Sequence, residues 1–164
     1  MNSEDQRFTP LEVMKEKDKK EILKKLNEQY GIKSIPGIIV SRGADRLFLF
    51  SGEIDEKQLK EIEKTIVVER VGVYFAKIDE KTEKVRLSIE GSQLLKDQIA
   101  KNIYELTNEK DFESWMKGED LQIKTGNKEF LIVKYKDNLL GTGKASEDKI
   151  SNYIPKNRRL KHKG

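Results

Sequence analysis

The stretch "EFLIVKYKDNLLGTGKA", residues 129–145, decides the fold. Two apolar runs flank a polar turn at Asp137 and Asn138, and this arrangement predicts a β-hairpin. In the returning strand Gly141 and Gly143 lie on alternate residues, and therefore on one face of the strand. Glycine inside a strand marks a bend or the close approach of another backbone or a ligand, so we expect one of these at the end of the hairpin.

The pair Gly143-Lys144 also occurs in phosphate-binding P-loops, which require G-x-x-x-x-G-K-[ST] at the start of a helix. Here Asn138 holds the first glycine position and Ala145 holds the hydroxyl position. The residues that follow, "KASEDKISNYIP", indicate a short turn, an alternating segment and a proline instead of a helix. The sequence therefore does not predict a nucleotide site here.

The residues before the hairpin show alternating helix and strand patterns. Apolar residues at helical spacing predict an amphipathic helix from about residue 15 to 30, with Gly31 as its C-cap. "GIIVSR" and "DRLFLFSG" predict a hairpin, and a second helix is expected after Asp55. "TIVVERVGVYFAKID" and "KVRLSIEG" predict an antiparallel pair within residues 65 to 90.

The residues from about 96 onward have a different character. "NIYELTN" predicts a strand, and "EKDFESWMKG" predicts a short helix that ends at Gly118. Phe112, Trp115 and Met116 lie on one side of this helix, which indicates core packing more than a stacking surface for a ligand. The patterns together predict an α+β protein, with an N-terminal α/β domain at residues 1–95 and a second domain at residues 96–164.

The composition places limits on location. The 164 residues are enough for one ordinary domain or two small ones. Charged residues make up 38% of the chain, and no apolar run approaches the ~20 residues of a membrane span. The N-terminal residues contain no apolar signal region. We therefore expect a cytoplasmic protein.

The composition also excludes several kinds of chemistry. The chain has no cysteine, and its single histidine, His162, lies in the basic tail. The carboxylate pairs at 119–120 and 147–148 are flanked by lysines in apparent turns, where little burial is available to shift a pKa. No catalytic residue, cofactor site or metal site is predicted. An enzyme that uses lysine or carboxylates at the domain junction is left open as an alternative, because perturbed groups cannot be identified from a sequence.

The positive charge is concentrated at the C-terminal end. Residues 121–164 contain 11 Lys and Arg against 4 Asp and Glu, although the whole chain has a net charge of only +4. This asymmetry is typical of a protein that binds nucleic acid or another anionic surface. A solvated lysine-rich tail would give the same pattern. Tyr153 lies among these cations, where it would either stack on an unpaired base or simply pack.

The segments "YELTNEKDFESWMKGEDL", "FLIVKYKDNLLGTGKA" and "YIPKNRRL" occur in the order that resembles the PUA domain, a small pseudo-barrel that binds RNA. The preceding "RVGVYFAKIDEKTEKVRLSIEGSQLL" is similar to the segment that joins the pre-PUA and PUA domains in a two-domain archaeal and eukaryotic factor of large-subunit ribosome biogenesis. The tail is also similar to the PUA-like domain of 5-methylcytosine RNA methyltransferases. Carbon-5 methylation of cytosine needs a cysteine nucleophile, which this chain lacks. The resemblance implies a pre-PUA-like α/β domain followed by a PUA-like β pseudo-barrel.

The resemblance implies non-catalytic RNA binding by the C-terminal domain, in an accessory factor of ribosome biogenesis or RNA modification. The expected partners are rRNA or tRNA, and an RNA methyltransferase or ribosome-assembly protein is a further candidate. No membrane partner and no DNA specificity are implied. The alternative is a protein-interaction adaptor that does not contact RNA itself.

The candidate RNA-binding residues come from two sources. Charge clustering and the interleaved aromatic select residues of the last strands and the tail: Lys144, Lys149, Tyr153, Lys156, Arg158, Arg159 and Lys161. The resemblance adds the turn between helix and strand, through which PUA domains approach an RNA backbone: Lys117, Gly118 and Leu121. This chain departs from many PUA domains in having acidic residues at 119 and 120, within that same turn.

Overall fold

The computed structural model describes residues 11–43, 45–50 and 72–161. The first of two sheets in these residues has five antiparallel strands in chain order. They are β1 (Leu11–Val13), β2 (Ile38–Arg42), β3 (Arg46–Phe50), β4 (Val73–Ile78) and β5 (Val85–Leu87). Helix α1 (Glu16–Tyr30) packs on one face of this sheet, which we call its inner face.

The second sheet has four strands in the order β6-β7-β8-β9. They are β6 (Ile103–Leu106), β7 (Phe130–Tyr135), β8 (Asn138–Ala145) and β9 (Ile150–Asn152). Strand β6 runs parallel to β7, and helix α3 (Glu109–Met116) lies between them in the chain. Helix α2 (Ile89–Leu94) and a 3-10 turn (Lys96–Gln98) connect the two sheets, and a second 3-10 turn (Lys156–Arg158) lies near the C-terminus. The mixed α/β composition is as predicted.

Several local predictions are confirmed. The first helix covers residues 16–30, and Gly31 ends it with φ +84°, a conformation that glycine adopts without strain. The β2–β3 hairpin and the β4–β5 pair are both antiparallel as expected. The helix predicted after Asp55 and the first part of the strand predicted from residue 65 lie outside the described residues.

Two local predictions are wrong. The end of "KVRLSIEG" does not continue as a strand, because residues 89–94 form α2. Ser88 is the N-cap of this helix, and its Oγ accepts a hydrogen bond of 2.9 Å from Gly91 N. The turn of the central hairpin lies one residue earlier than predicted, since Tyr135 pairs with Asn138 and leaves Lys136 and Asp137 as the loop. Lys136 has φ +55°, as two-residue hairpin turns require.

Strand β7 is buried on both faces. Ile132 faces a core formed with α1 and the first sheet, whereas Leu131 and Val133 face a second core around Trp115. The returning strand divides in the same way, with Leu139 in the first core and Leu140 in the second. The run of apolar residues is therefore continuous because neither face of the hairpin meets water.

The two sheets meet closely around α2. Thr142 Oγ1 accepts a hydrogen bond of 2.9 Å from Leu87 N, and Ser92 Oγ accepts one of 3.2 Å from Gly141 N. A Cβ atom on Gly91 would lie 2.1 Å from the carbonyl oxygen of Phe75, so only glycine fits at this contact. The domain boundary after residue 95 stays a prediction, since residues on both sides of it share the first core.

The glycines of the central hairpin do mark a close approach, as predicted. A Cβ on Gly143 would lie 2.5 Å from Ile150 Cγ2 and 2.7 Å from Trp115 Cη2. Trp115 is fully buried, and its Nε1 donates a hydrogen bond of 3.1 Å to Leu140 O, which confirms it as a core residue. In the part of the chain described here, no helix is long and apolar enough to cross a membrane. The cytoplasmic location stays a prediction.

We expect Gly91→Ala to lower the free energy of unfolding by about 3 kcal/mol, because the added methyl group would collide with the Phe75 backbone. Helix propensity alone predicts a gain of about 1 kcal/mol for the same change. Urea denaturation followed by circular dichroism would measure the difference. Leu94→Ala in the same helix is the control, because the Leu94 side chain is 52% exposed; an equal loss in both variants would contradict the proposed contact.

Tyr30 gives a prediction about alkaline stability. Its buried hydroxyl donates a hydrogen bond of 2.6 Å to Val85 O, and burial raises its pKa far above the ordinary value. The unfolded chain loses this proton near about pH 10, whereas the folded chain retains it, so the free energy of unfolding falls as pH rises above about 10. Tyr30→Phe should lower stability by about 1 kcal/mol at pH 7 and show a shallower alkaline decline, measured by urea denaturation from about pH 7 to about pH 11. An equally steep alkaline decline in the wild type and in Tyr30→Phe would contradict this prediction.

Candidate nucleic-acid interface

Cations occupy successive paired positions across the first sheet, where Arg42 of β2 lies opposite Arg46 of β3 and the row continues to β5. Arg46 of β3 lies opposite Lys77 of β4, and Lys77 lies opposite Arg86 of β5. Directly paired residues of antiparallel strands project from the same face of a sheet. Arg86 lies between the buried residues Val85 and Leu87, so this face is opposite to the core that contains α1. We call Arg46, Lys77 and Arg86 the cation row, and the face that carries them the outer face.

A β-bulge in β4 brings an aromatic residue to the same outer face. Leu47 pairs with Ala76 but Phe48 pairs with Tyr74, so Phe75 is an extra residue without a partner. Phe75 and Ala76 both face the inner core, and both are fully buried. Because a bulge places two consecutive side chains on one face, Tyr74 and Lys77 both reach the outer face although they are three residues apart.

A groove of about 420 Å³ lies between the cation row and residues 153–161, which we call the C-terminal segment. Its lining combines cationic, aromatic and polar side chains from the first sheet, from the start of α2 and from the residues that follow β9. The lining residues are Arg46, Phe48, Tyr74, Lys77, Arg86, Ser88, Ile89, Glu90, Tyr153, Pro155, Asn157 and Arg158. Four of these side chains are cations, and Glu90 is the one carboxylate among them. The groove therefore carries positive charge.

Arg86 and Tyr153 are stacked at this groove. The guanidinium carbon of Arg86 lies 3.9 Å from the centre of the Tyr153 ring, which is a cation–π contact. Tyr153 remains 41% exposed, so the contact leaves part of the ring open to solvent. Burial raises the pKa of the Tyr153 hydroxyl, while the charge of Arg86 lowers it in part. The hydroxyl is therefore protonated near neutral pH and able to donate a hydrogen bond.

Acidic neighbours balance two of the groove's cations. Lys77 Nζ lies 3.6 Å from a carboxylate oxygen of Asp45, and Arg158 forms an ion pair with Glu90. Arg86 is different, because its Nε atom is buried and has no hydrogen-bond acceptor among the described residues. An unpaired buried donor is costly, so the guanidinium group of Arg86 is incompletely satisfied within the described residues.

The structure gathers some of the sequence-predicted residues at this groove. Tyr153 and Arg158 line it. Lys156 is exposed in the 3-10 turn that contains Arg158, and Lys161 is exposed three residues beyond that turn. Arg159 packs inward instead: its Nε donates a hydrogen bond of 2.8 Å to Ile154 O.

Lys144 and Lys149 lie outside the groove lining and have other contacts. Lys144 Nζ donates a hydrogen bond of 2.6 Å to Lys128 O and lies 4.6 Å from the centre of the Phe130 ring. Lys149 Nζ lies 3.3 Å from a carboxylate oxygen of Asp120. RNA contact by these two lysines stays a prediction.

The turn after α3 is built by internal contacts. Lys117 is the C-cap of α3, and Gly118 follows with φ +91°, where a Cβ would lie 2.3 Å from Arg159 Nε. Leu121 is 3% exposed, and its backbone N and O are both hydrogen-bonded to Ile150. Neither its side chain nor its backbone is open to a ligand, so we leave Leu121 out of the interface proposed below.

The acidic residue at 120 also has a structural role. Asp120 Oδ1 accepts a hydrogen bond of 2.8 Å from Asn152 N, while its second oxygen faces Lys149. Asn152 Nδ2 in turn donates a hydrogen bond of 2.8 Å to Trp115 O. The acidic side chain at position 120 therefore connects the turn to β9 and, through Asn152, to the end of α3.

Sequence reasoning missed the part of the groove that belongs to the first sheet. These residues are Arg46, Lys77, Arg86 and Tyr74. The alternation of Val85, Arg86 and Leu87 shows that Arg86 points away from the core. The strand register and the bulge, which put the cations beside one another and beside Tyr153, have no signal in a single sequence.

Arg159 and Lys156 should differ in their effect on folding. Arg159→Ala removes the hydrogen bond to Ile154 O and the packing over Gly118, so we expect a loss of about 1 kcal/mol in the free energy of unfolding. Lys156→Ala should change it by less than about 0.5 kcal/mol, because Lys156 is exposed. Urea denaturation of both variants is the measurement. Equal stabilities would show that Arg159 does not hold the segment.

Comparison with known proteins supports the resemblance for one part of the chain. No curated protein matches it. Residues 101–160, which run from just before β6 through the second 3-10 turn, match the family model described as the PUA domain of the methyltransferase RsmF. The predicted resemblance to the PUA domain of 5-methylcytosine RNA methyltransferases is therefore confirmed for residues 101–160. The match is consistent with a PUA-domain RNA-binding protein.

Proposed function

We propose that this protein binds RNA without catalysing a reaction on it, and that its C-terminal PUA-like part makes the contact. In this proposal it is an accessory factor of rRNA maturation in ribosome biogenesis or of RNA modification. The family match supports an RNA partner and a methyltransferase-associated context. The observation that carries the proposal is an ordered cationic surface formed by the C-terminal segment, residues 153–161.

This segment is fastened to the domain, which distinguishes it from a solvated tail. Leu160 N donates a hydrogen bond of 2.8 Å to Met116 O at the end of α3. Ile154 is buried, and Arg159 bonds back to its carbonyl oxygen. A basic segment held in one conformation loses little conformational entropy on binding, so its cations are arranged in advance for a polyanion.

The chemistry of the segment fits RNA. Arg158 and Lys156 are exposed in one 3-10 turn, and Tyr153, three residues before Lys156, is also exposed. Arginine engages phosphate bidentately through its planar fork, whereas lysine contributes a point charge. Aromatic rings stack on bases that are not paired.

The carboxylates near this segment support a role in binding over acid–base catalysis. Glu90 forms an ion pair with Arg158, and Asp120 forms one with Lys149. In each pair the carboxylate holds the side chain of its cation in place, which is a positioning role.

Charge reversal at Lys156 and Lys161 tests the proposal. We expect the double variant Lys156→Glu/Lys161→Glu to weaken binding of a labelled single-stranded RNA at least tenfold. Each phosphate that is no longer neutralised should also reduce the log–log salt slope by about 0.7. Fluorescence anisotropy at several salt concentrations measures both quantities.

The double variant Lys20→Glu/Lys24→Glu is the matched control, since it makes the same change in charge at exposed positions of α1, which packs on the inner face. It should retain most of the wild-type affinity. If neither the single strand nor an RNA hairpin binds the wild type at low salt, RNA binding is wrong. In that case the protein-interaction adaptor becomes the leading function.

A further inference from the structure

We propose that the groove between the cation row and the C-terminal segment holds one unpaired nucleotide of the bound RNA. Its phosphate would lie on the cation row, and its base would lie against Tyr153. The inference rests on the proposed function, but it adds the first sheet to the interface and selects single-stranded or bulged RNA over fully paired RNA.

The cation row supplies the argument for a phosphate. Like charges placed directly opposite one another in a sheet repel, so the row of Arg46, Lys77 and Arg86 is unfavourable by itself. Asp45 offsets part of this repulsion at Lys77. A phosphate placed on the row would contact several cations at once.

The stacked pair supplies the argument for a base. Arg86 lies over one face of the Tyr153 ring, and the Tyr153 side chain remains 41% exposed at the groove. Tyr74 reaches the same groove from the bulged strand β4. Flat aromatic and guanidinium surfaces are the groups on which single-stranded RNA stacks its bases.

The size and position of the groove select one nucleotide. A volume of about 420 Å³ lies at the lower end of the range for sites that hold small molecules. The groove is bounded by the first sheet on one side and by the residues that follow β9 on the other, and a nucleotide splayed out of a strand could enter it where a base inside a duplex could not. The exposed cations of the C-terminal segment begin at one wall of the groove, so the neighbouring phosphates would continue along Lys156 and Lys161.

Glu90 controls the charge of that wall. Among the described residues of the lining it is the one carboxylate, and it forms an ion pair with Arg158. An RNA phosphate would compete with it for the arginine. Glu90→Gln is therefore expected to strengthen RNA binding about two- to fivefold, because the amide keeps the shape of the side chain and removes its charge.

The test uses three labelled RNA probes of the same sequence: a single strand, a perfect duplex, and a duplex with one bulged nucleotide. Anisotropy should show that the wild type binds the single strand and the bulged duplex more tightly than the perfect duplex. Tyr153→Leu should weaken binding of these two probes about tenfold and leave the perfect duplex unchanged, whereas Tyr153→Phe, which keeps the ring, should retain the affinity.

A second pair of variants tests the phosphate end. Arg46→Gln/Lys77→Gln should reduce the log–log salt slope for the single strand by about 0.7 for each phosphate that is no longer neutralised, and Lys20→Gln/Lys24→Gln is the control with the same change in charge. Urea denaturation of each variant shows whether it folds as the wild type does.

The outcomes separate this inference from the proposed function. If reversal at Lys156 and Lys161 weakens RNA binding but the groove variants do not, the groove is not a nucleotide site and the proposed function stands. Equal affinity for the perfect and the bulged duplex would also overturn the inference. An acidic peptide gives a further outcome. If it binds the wild type, loses affinity in the groove variants and does not displace RNA, the groove belongs to a protein partner. Absence of RNA binding in the wild type overturns both proposals.

Discussion

The apolar part of the central hairpin is buried on both faces, and the rest of the structure depends on this constraint. Strand β7 places Ile132 in one core and Leu131 with Val133 in the other, and β8 divides its two leucines in the same way. Neither core is complete without the hairpin. The two sheets are thus held at a fixed relation by side chains of one strand pair, with α2 wedged between them through the contact of Gly91 with Phe75.

This fixed relation creates the groove. The cation row belongs to the first sheet, while Tyr153 and Arg158 follow the last strand of the second. If the sheets moved independently, Arg86 would not stay 3.9 Å from the Tyr153 ring. A binding surface that crosses between two sheets needs such a rigid junction, because misplacement by an ångström removes the stacking geometry.

Local patterns predicted the elements, and long-range pairing decided the site. The first helix, its Gly31 cap, the central hairpin and the buried Trp115 all follow from periodicity and turn chemistry that act over a few residues. The basic C-terminal end was visible as a charge count. The contribution of the first sheet was not, because Arg46 and Arg86 become neighbours of the same groove only through strand register. Leu121, a position implied by the resemblance, is buried in this chain, and its contact with RNA stays a prediction.

The single extra residue in β4 limits which insertions and deletions this surface can accept during evolution. With Phe75 present, the strand reverses its alternation at the bulge, so Phe75 and Ala76 share the inner face while Lys77 turns outward. Loss of one residue at this point would restore strict alternation and exchange the two faces on one side of the bulge. Lysine would then enter an apolar core, or tyrosine would leave the groove, although every other residue was unchanged. The surface is therefore specified by a count of residues as much as by their chemistry, and length changes in β4 should be less tolerated than most substitutions in it.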